Sequence, residues 1–280
     1  MANIDLHIHS NYSDGSDPIQ ELLNQIIEAQ LSVFALTDHD TAEGCIEMQK
    51  LVPTNIRFIP GIELTCRAEE IKCHILGYNC DYTNKTLLEL VEKGKKLRRN
   101  KLNTRIKYLE ETWGIILTQE ELEWLYSRKS VVKTHIANVL VKRRLADNNL
   151  EAMDKFLNGC KSGDTRFSGE EAIDAILKSG GIPTWAHPLG GEGEEHLDKK
   201  AFIPKLEKMI EFGIKGLECY YSRYNENEIA FLIECANRYN LFISGGSDYH
   251  GKNKSNIEIG QLNDKNTAIN PNEITILNQI

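Results

Sequence analysis

The chain has 280 residues, 41% of them hydrophobic, and its 41 acidic and 33 basic side chains leave a net charge of −8. That length suits one large domain or one domain with an insertion, and the acidic balance argues against a general binder of long duplex nucleic acid, which needs a basic footprint. No apolar run approaches the roughly 18 residues that span a bilayer, and the first residues lack an apolar leader core. The seven cysteines contain no Cys-x-x-Cys pair, so the expectation is a reduced, cytoplasmic protein with no membrane contact and no obligate protein partner.

In chain order, "IDLHIHS" (4–10) alternates Ile4, Leu6 and Ile8 with Asp5, His7 and His9, the period of a strand. Residues i and i+2 of a strand share a face, so His7 and His9 point together. "PIQELLNQIIEAQ" has helical spacing at Ile19, Leu22, Leu23, Ile26 and Ile27, with Asp17 expected to cap it and Pro18 to open its first turn. Strands are expected in "LSVFALTDHD", "IRFIPGIELTC" and "IKCHILGYN". From about 86 to 160 only helical patterns occur: "TLLELVEKGKKLRRNKLNTRIKYLEETW", then "TQEELEWLYS" with a capping box from Thr118 to Glu121, "VKTHIANVLVKRR" and "LEAMDKFLNG". Alternation resumes with "SGEEAIDAILKSGG", capped by Ser168 and Glu171, followed by "IPTWAHP", "IKGLECYY", "ENEIAFLIECANRYN" and "LFISGGSDYHG". Strand and helix in alternation imply a largely parallel α/β sheet with helices outside. The expected organisation is an α/β barrel from 1–85 and 161–280, with 86–160 inserted as a helical lid. Only "GGEGEEH" (190–196) reads as a loose loop.

Polar residues collect where these strands end. The ends carry His7, His9 and Asp14, then Asp38, His39 and Asp40, then Glu63, His74, His187, Glu218, Asp248 and His250; of the 8 histidines only His135 and His196 lie elsewhere. Carboxyl ends of parallel strands face the active site in such folds. Unpaired, these groups would be costly to bury. Divalent ions bridged by carboxylates remove that cost, and nitrogen and oxygen ligands without thiolate suit Zn²⁺, Mn²⁺ or Fe.

"DLHIHSNYSDG", "ALTDHDT", "GIELTC", "HILGY", "AHP" and "GSDYHG" together resemble the PHP family, the polymerase and histidinol phosphatase phosphoesterases, over nearly the whole chain. Within the family the chain is most similar to the branch acting on nucleoside 3',5'-bisphosphates and short RNA 5' ends. The "SDG" form with Asp14 matches that branch. "KTHIA" resembles its Arg-Pro-His-Ile-Ala segment, with His135 kept and Lys133 in the arginine's place; lysine keeps the charge and loses the bidentate fork. The resemblance implies a distorted, TIM-like (β/α)₇ barrel with two or three divalent metals. His7, His9, Glu63 and Asp248 would hold one; a bridging Glu63 with His74 and His187, the second; Asp14, His39 and His250, the third.

Clustered ions can generate hydroxide near neutrality and neutralise phosphate charge. Asp38 or Asp248 is the expected proton acceptor, with His39 or His250 assisting the leaving group; Asp38 is alternatively a brace for His39. "KGKKLRRNKLNTRIK" is the most basic stretch. Arg98, Arg99, Arg105, Lys133, His135 and Arg223 are the expected substrate contacts, because guanidinium pairs with phosphate, and Tyr221 or Tyr224 could stack on a base. The expected activity is removal of the 3'-phosphate of a nucleoside 3',5'-bisphosphate, with trimming of short oligonucleotides from the 5' end. Histidinol phosphatase, a non-catalytic metal-binding module and a metal-dependent amide or lactone hydrolase are the alternatives.

Overall fold

β1 (Ile4–Ile8) alternates apolar and polar side chains, yet all five are buried. Both faces of this strand are therefore covered, as in a sheet with helices outside and a filled interior. The computed structural model describes residues 4–68, 71–161, 167–191 and 196–280; positions 192–195 of the expected loose loop lie outside them. After α1 (Ile19–Glu28) come β2 (Val33–Leu36), α2 (Glu43–Leu51), β3 (Arg57–Ala68) and β4 (Ile71–Tyr78). α1 buries Ile19, Leu22, Leu23 and Ile26, each side chain stabilising the fold by roughly 1.5–3 kcal/mol. Its N-cap residue is Pro18 and no side chain caps it. Asp17 instead accepts from Ser16, Gln25 and Tyr249, correcting its expected capping role.

The chain then runs through α3 (Lys85–Trp113), α4 (Gln119–Ser127), α5 (Lys133–Lys142) and α6 (Asn149–Ala152), which continues as one turn of π-helix (Met153–Leu157). Thr118 and Glu121 form the expected capping box on α4. The barrel resumes with β5 (Phe167–Ser168), α7 (Gly169–Lys178), β6 (Ile182–Ala186), α8 (Lys199–Phe212), β7 (Gly216–Tyr221), α9 (Glu226–Arg238) and β8 (Phe242–Gly246). α2 and α8 have no counterpart among the expected elements. Gly44 interrupts the helical signal of the first and Pro204 that of the second, and both residues are poor helix formers.

The strands follow the path β1-β2-β3-β4-β6-β7-β8, with β5 paired to β3. A bridge from Ile8 to Tyr249 brings the two ends together, so the sheet is a nearly closed, distorted seven-stranded barrel. β4 runs antiparallel to β3 and β6. A parallel partner would need a crossover of a dozen or more residues, and only 69 and 70 separate these two strands. Among the described residues no helix is long and apolar enough to cross a membrane, and the seven cysteines form no disulfide.

Three apolar clusters fill the interior of the described residues. One fills the barrel wall and includes Leu87, Leu90 and Val91 of α3. A second, from Leu102 and Leu109 to Phe156 and Leu157, lies wholly within the helical segment, and a third, with Ile19, Phe34, Met48 and Tyr249, packs α1 and α2 against the first strands. In packing terms the first turns of α3 belong to the barrel and its remainder to the segment, so the change of partner falls inside a helix.

Candidate metal centre

β1 delivers His7 and His9 to the barrel mouth on one face. A Cβ on Gly246 would overlap the backbone and Cβ of His7, so glycine at that point of β8 lets β1 lie close against it. Glu63 of β3 is fully buried and forms the centre of the cluster. Its oxygens lie 2.8–3.4 Å from ring nitrogens of His7, His9, His39, His74 and His187. Neither oxygen meets a donor in hydrogen-bonding geometry, nor do Nδ1 of His39 and His74 or Oδ1 of Asp14. Burying an ionised carboxylate costs several kcal/mol unless it is compensated. Asp40, His187 and Asp248 add backbone strain, with φ of 49°, 29° and 59°, a conformation that costs non-glycine residues roughly 1–3 kcal/mol each.

The donor set fits divalent ions. Three groups place their ligand atoms within 4.8 Å of one another: His9, Asp14, His39 and His250; His7, His9 and Glu63; and His39, Glu63 and His74. Asp248 Oδ1 lies 3.6 Å from His7 Nε2 and 3.4 Å from His9 Nε2. The arrangement differs from the expected one in that His9 and His39 each serve two groups. An imidazole has two ring nitrogens, and His39 turns Nδ1 to Glu63 at 3.0 Å and Nε2 to Asp14 at 3.7 Å.

Outer partners orient these rings. His7 Nδ1 donates to Glu218 Oε1 at 2.9 Å, and His250 Nδ1 donates to the Asp248 carbonyl at 2.8 Å. In both rings Nε2 is then left as the lone-pair nitrogen facing the cluster, the tautomer an ion requires. Glu218 also accepts from the His187 backbone N–H at 2.6 Å. Asp5 ties the ends of β1 and β8 by accepting from the backbone N–H groups of His7, Ser247 and Gly260. Burial pushes its carboxyl up to about 6 against those hydrogen bonds. Asp248 Oδ2 faces outward, accepting from Lys254 Nζ at 2.5 Å and from the Tyr221 hydroxyl at 3.1 Å.

The carboxylates divide protons unequally among the imidazoles. Burial would lower His7 and His9, but Glu218, Glu63 and Asp248 raise His7 well above its usual range, and Asp248 and Glu63 raise His9 to about 9. For His39 and His250 burial prevails and both are lowered. Burial also works against Asp14 and Glu63, yet the surrounding imidazoles hold both well below the carboxylate range. The mouth is thus a cation-seeking cavity that, without an ion, draws protons onto His7 and His9.

Asp38 sits elsewhere than its expected roles require. Its oxygens accept from the Ser10 backbone and hydroxyl at 2.9 and 2.7 Å and from the Ser13 hydroxyl at 2.6 Å. Ser13 in turn lies 3.4 Å from His9 Nδ1, so Asp38 braces the loop after β1 and, through Ser13, His9 rather than His39. Signals for the outer partners were present in the sequence: Glu218 interrupts the apolar run "IKGLECYY", and Asp5 opens the alternation of β1.

A cleft of about 960 Å³ opens between the barrel and the helical segment, and Asp14, His39, His74 and His250 line its floor. Arg67 and Lys72 of the β3–β4 hairpin, Lys101 and Arg105 of α3, Lys133, Lys252 and Lys254 also line it. Arg105 and Lys133 are there as expected, and Lys133 reaches Asn158 Oδ1 at 2.5 Å. The other expected substrate contacts lie off this lining. Arg98 is drawn to Asp40 Oδ2, with Nε at 2.6 Å, and to Thr65. Arg99 bonds the Tyr126 carbonyl and covers its ring. His135 is buried, its Nδ1 accepting from the Val132 backbone N–H at 3.1 Å, and burial lowers it to about 4. Arg223 is exposed after the end of β7 and is not part of the cleft lining. Tyr221 and Tyr224 are buried, their hydroxyls engaged with Asp248 and with the Leu189 N–H, so neither offers a face to a base.

The profile of the PHP domain family matches residues 5–164. The phosphoribosyl 1,2-cyclic phosphate 1,2-diphosphodiesterase of Eggerthella lenta is 28% identical over 89% of this chain and 94% of its own. The 5'-3' exoribonuclease Rnm of Escherichia coli is 27% identical over 88% and 84%, and the 3',5'-nucleoside bisphosphate phosphatase of Chromobacterium violaceum 25% over 94% and 93%. Among solved structures, an amidohydrolase from Chromobacterium violaceum with bound sulfate superposes with a TM-score of 0.85 at 24% identity, covering 99% of this chain and 95% of that one.

Proposed function

The chain belongs to the PHP domain family and is a metal-dependent phosphoric ester hydrolase; from that premise we propose that its substrate carries more than one phosphate, and specifically that it removes the 3'-phosphate of nucleoside 3',5'-bisphosphates and trims short oligonucleotides from the 5' end. The observation that carries this reading is the cleft. Seven cationic residues (Arg67, Lys72, Lys101, Arg105, Lys133, Lys252 and Lys254) line the cleft around the ligand cluster, more positive charge than one phosphate monoester calls for. Histidinol phosphate bears a single phosphate and a cationic amine, which such a wall would repel. The names of the Chromobacterium and Escherichia relatives, a bisphosphate phosphatase and an exoribonuclease, support the same reading.

We assign His7, His9, Asp14, His39, Glu63, His74, His187, Asp248 and His250 as ligands of two or three divalent ions, with Mn²⁺, Zn²⁺ or Fe suited to an all-nitrogen and oxygen set. Such ions supply a hydroxide near neutral pH and screen the phosphate charge. The chain's own groups do the rest. Glu218 and the Asp248 carbonyl hold His7 and His250 with Nε2 inward. Lys254 and Tyr221 hold Asp248 so that Oδ1 faces the cluster. Asp38 has both oxygens engaged by Ser10 and Ser13 and serves as a brace for the loop after β1, while Asp248 and His250 stand among the ligands at the cleft end of β8. Lys133 offers its ammonium to a phosphate between the walls.

The test is phosphate release from adenosine 3',5'-bisphosphate by Mn²⁺-loaded protein, with a chelated control and product analysis. Chelator-sensitive release leaving adenosine 5'-monophosphate is the expected result. Faster turnover of histidinol phosphate or of a cyclic phosphodiester by the same preparation would overturn the substrate assignment while leaving the hydrolase class intact.

A further inference from the structure

The two parts of the metal centre are braced from different parts of the chain. His7 is held by Glu218 of β7 and Asp5 of β1, and Asp248 by Tyr221 of β7 and by Lys254, all barrel residues. The outer group of Asp14, His39 and His250 stands apart, because three contacts from three helices of the inserted segment each end beside one of its members.

The first comes from α3. Arg98 Nε and Nη2 reach Asp40 Oδ2 at 2.6 and 2.5 Å, and Nη2 also donates to Thr65 Oγ1 at 2.8 Å. Asp40 adjoins His39, holds its strained backbone at φ 49°, and uses Oδ1 to accept from the Thr65 N–H at 2.9 Å. This ion pair is largely buried, at 13% and 4% exposure. The second comes from α5. His135 Nδ1 accepts the Val132 N–H, which places the ring proton on Nε2, and the buried ring lies against the Ser13 backbone, one residue before Asp14. Beside it the Ser130 N–H donates to the Tyr12 carbonyl at 3.3 Å. The third comes from α6. Asn149 Nδ2 donates to Asn253 Oδ1 at 3.3 Å, and Asn253 Nδ2 donates to the Asp14 carbonyl at 2.8 Å. Asn253 stands on the 3₁₀ turn Gly251–Lys254 that follows His250.

We propose that the helical segment assembles the outer ion site: Arg98, His135 and the Asn149–Asn253 pair are positioning residues that hold His39, Asp14 and His250 in register, so that the affinity of the outer ion depends on docking of the segment. This rests on the metal-centre reading above and adds a division of labour within it. A ligand cluster needs its members held to within a fraction of an ångström. Asp14 and His250 lie on loops outside the strands, where the barrel by itself restrains them least. Outer partners of ligands are worth roughly 10–100-fold in metal affinity when removed, and the three contacts here are such partners.

The experiment is equilibrium dialysis of the full, chelator-stripped chain against Mn²⁺, counting bound ions and resolving affinity classes, for wild type, Arg98→Met, His135→Leu, His135→Gln and Glu218→Gln. His135→Leu is expected to weaken one class of site by roughly 10–100-fold, and Arg98→Met to weaken that class by a similar factor and, through the shared His39, the class of Glu63 and His74 by less, with the class of His7 left at wild-type affinity. His135→Gln, which keeps a polar group against the Ser13 backbone, recovers most of the loss. Glu218→Gln weakens a different class, that of His7. Thermal melting in chelator identifies a variant that fails to fold, and because Arg98 and His135 sit on different helices, either one suffices. Wild-type affinities in both segment variants, or an equal loss in every class, would overturn the proposal. A wild-type chain that binds no Mn²⁺ would instead remove the metal-centre reading on which it stands.

Discussion

At the barrel mouth the Glu63 carboxylate is fully buried among five imidazoles without one well-formed hydrogen bond. In the helical segment Lys107 pairs with Glu111 at the surface and Arg143 with Glu121 half-buried, while Leu102, Leu109, Leu125 and Leu140 fill an apolar interior. Apart from Arg98, which reaches into the barrel to Asp40, the segment obeys the ordinary rule that charge stays wet and apolar surface is removed from water. The mouth breaks it, and breaks it on several strands at once. Crowding of that kind stores a demand for cations in the fold, which packing alone cannot meet. One region is therefore built to fold and the other to bind, and each should be fragile in its own way.

The largest effect is expected at the point where the mouth departs furthest from the rule. Glu63→Gln removes the carboxylate common to the inner ligand groups, and activity of the Mn²⁺-loaded protein should fall by more than the roughly 100-fold upper range of outer-partner losses, with chelator-free melting shifted toward that of the stripped protein. A variant that keeps wild-type turnover would break the contrast, since Glu63 would then be an ordinary buried acid.

The corresponding change in the segment acts on stability. Leu140 is fully buried in the second apolar cluster, and Leu140→Ala should cost about 2–5 kcal/mol, read by denaturant unfolding. Because the segment has a cluster of its own, the loss should appear in segment unfolding first. Equal loss across a single transition would show that the segment and the barrel unfold as one.

The smallest effect concerns protons. Burial would lower His9, yet Asp248 and Glu63 raise it to about 9, and His7 is raised as well. Without ions both rings are therefore protonated at pH 7, and an ion must displace those protons to reach the ring nitrogens. Ion uptake at pH 7 should release protons, and apparent affinity should rise as pH climbs from 6.5 toward 9. Calorimetric titration with Mn²⁺ in two buffers of different ionisation enthalpy measures this directly. Identical heats in the two buffers would mean the rings are already neutral and the carboxylates do not control them.

Much of the site could be read from residue order because its members stand at strand ends, and strand periodicity is local. His7 and His9 two residues apart, Asp38-His39-Asp40 after an apolar run, and "GSDYH" at the last strand each announce a polar strand end without any knowledge of neighbours. The substrate side was far less legible. Arg98 and Arg99 are adjacent in a basic stretch, yet one turns inward to Asp40 and the other outward to Tyr126. Successive residues on a helix point roughly 100° apart, so the decision belongs to whatever the helix packs against. Tyr221 and Tyr224 read equally well as stacking platforms or core, and burial settled them as core.

By itself, then, the amino-acid order determined the alternation of strands and helices, the helical character of 86–160 and the convergence of histidines and carboxylates on one end of the strands, since each depends on spacing within a few residues. Only the tertiary structure decided that β4 runs antiparallel, that Asp38 braces serines instead of His39, that His9 and His39 are shared between ligand groups, and that the inserted helices reach down to the outer group. Those outcomes depend on contacts between residues far apart in the chain, such as Arg98 with Asp40 and Asn253 with Asp14, and no local periodicity records which distant partner a side chain will meet.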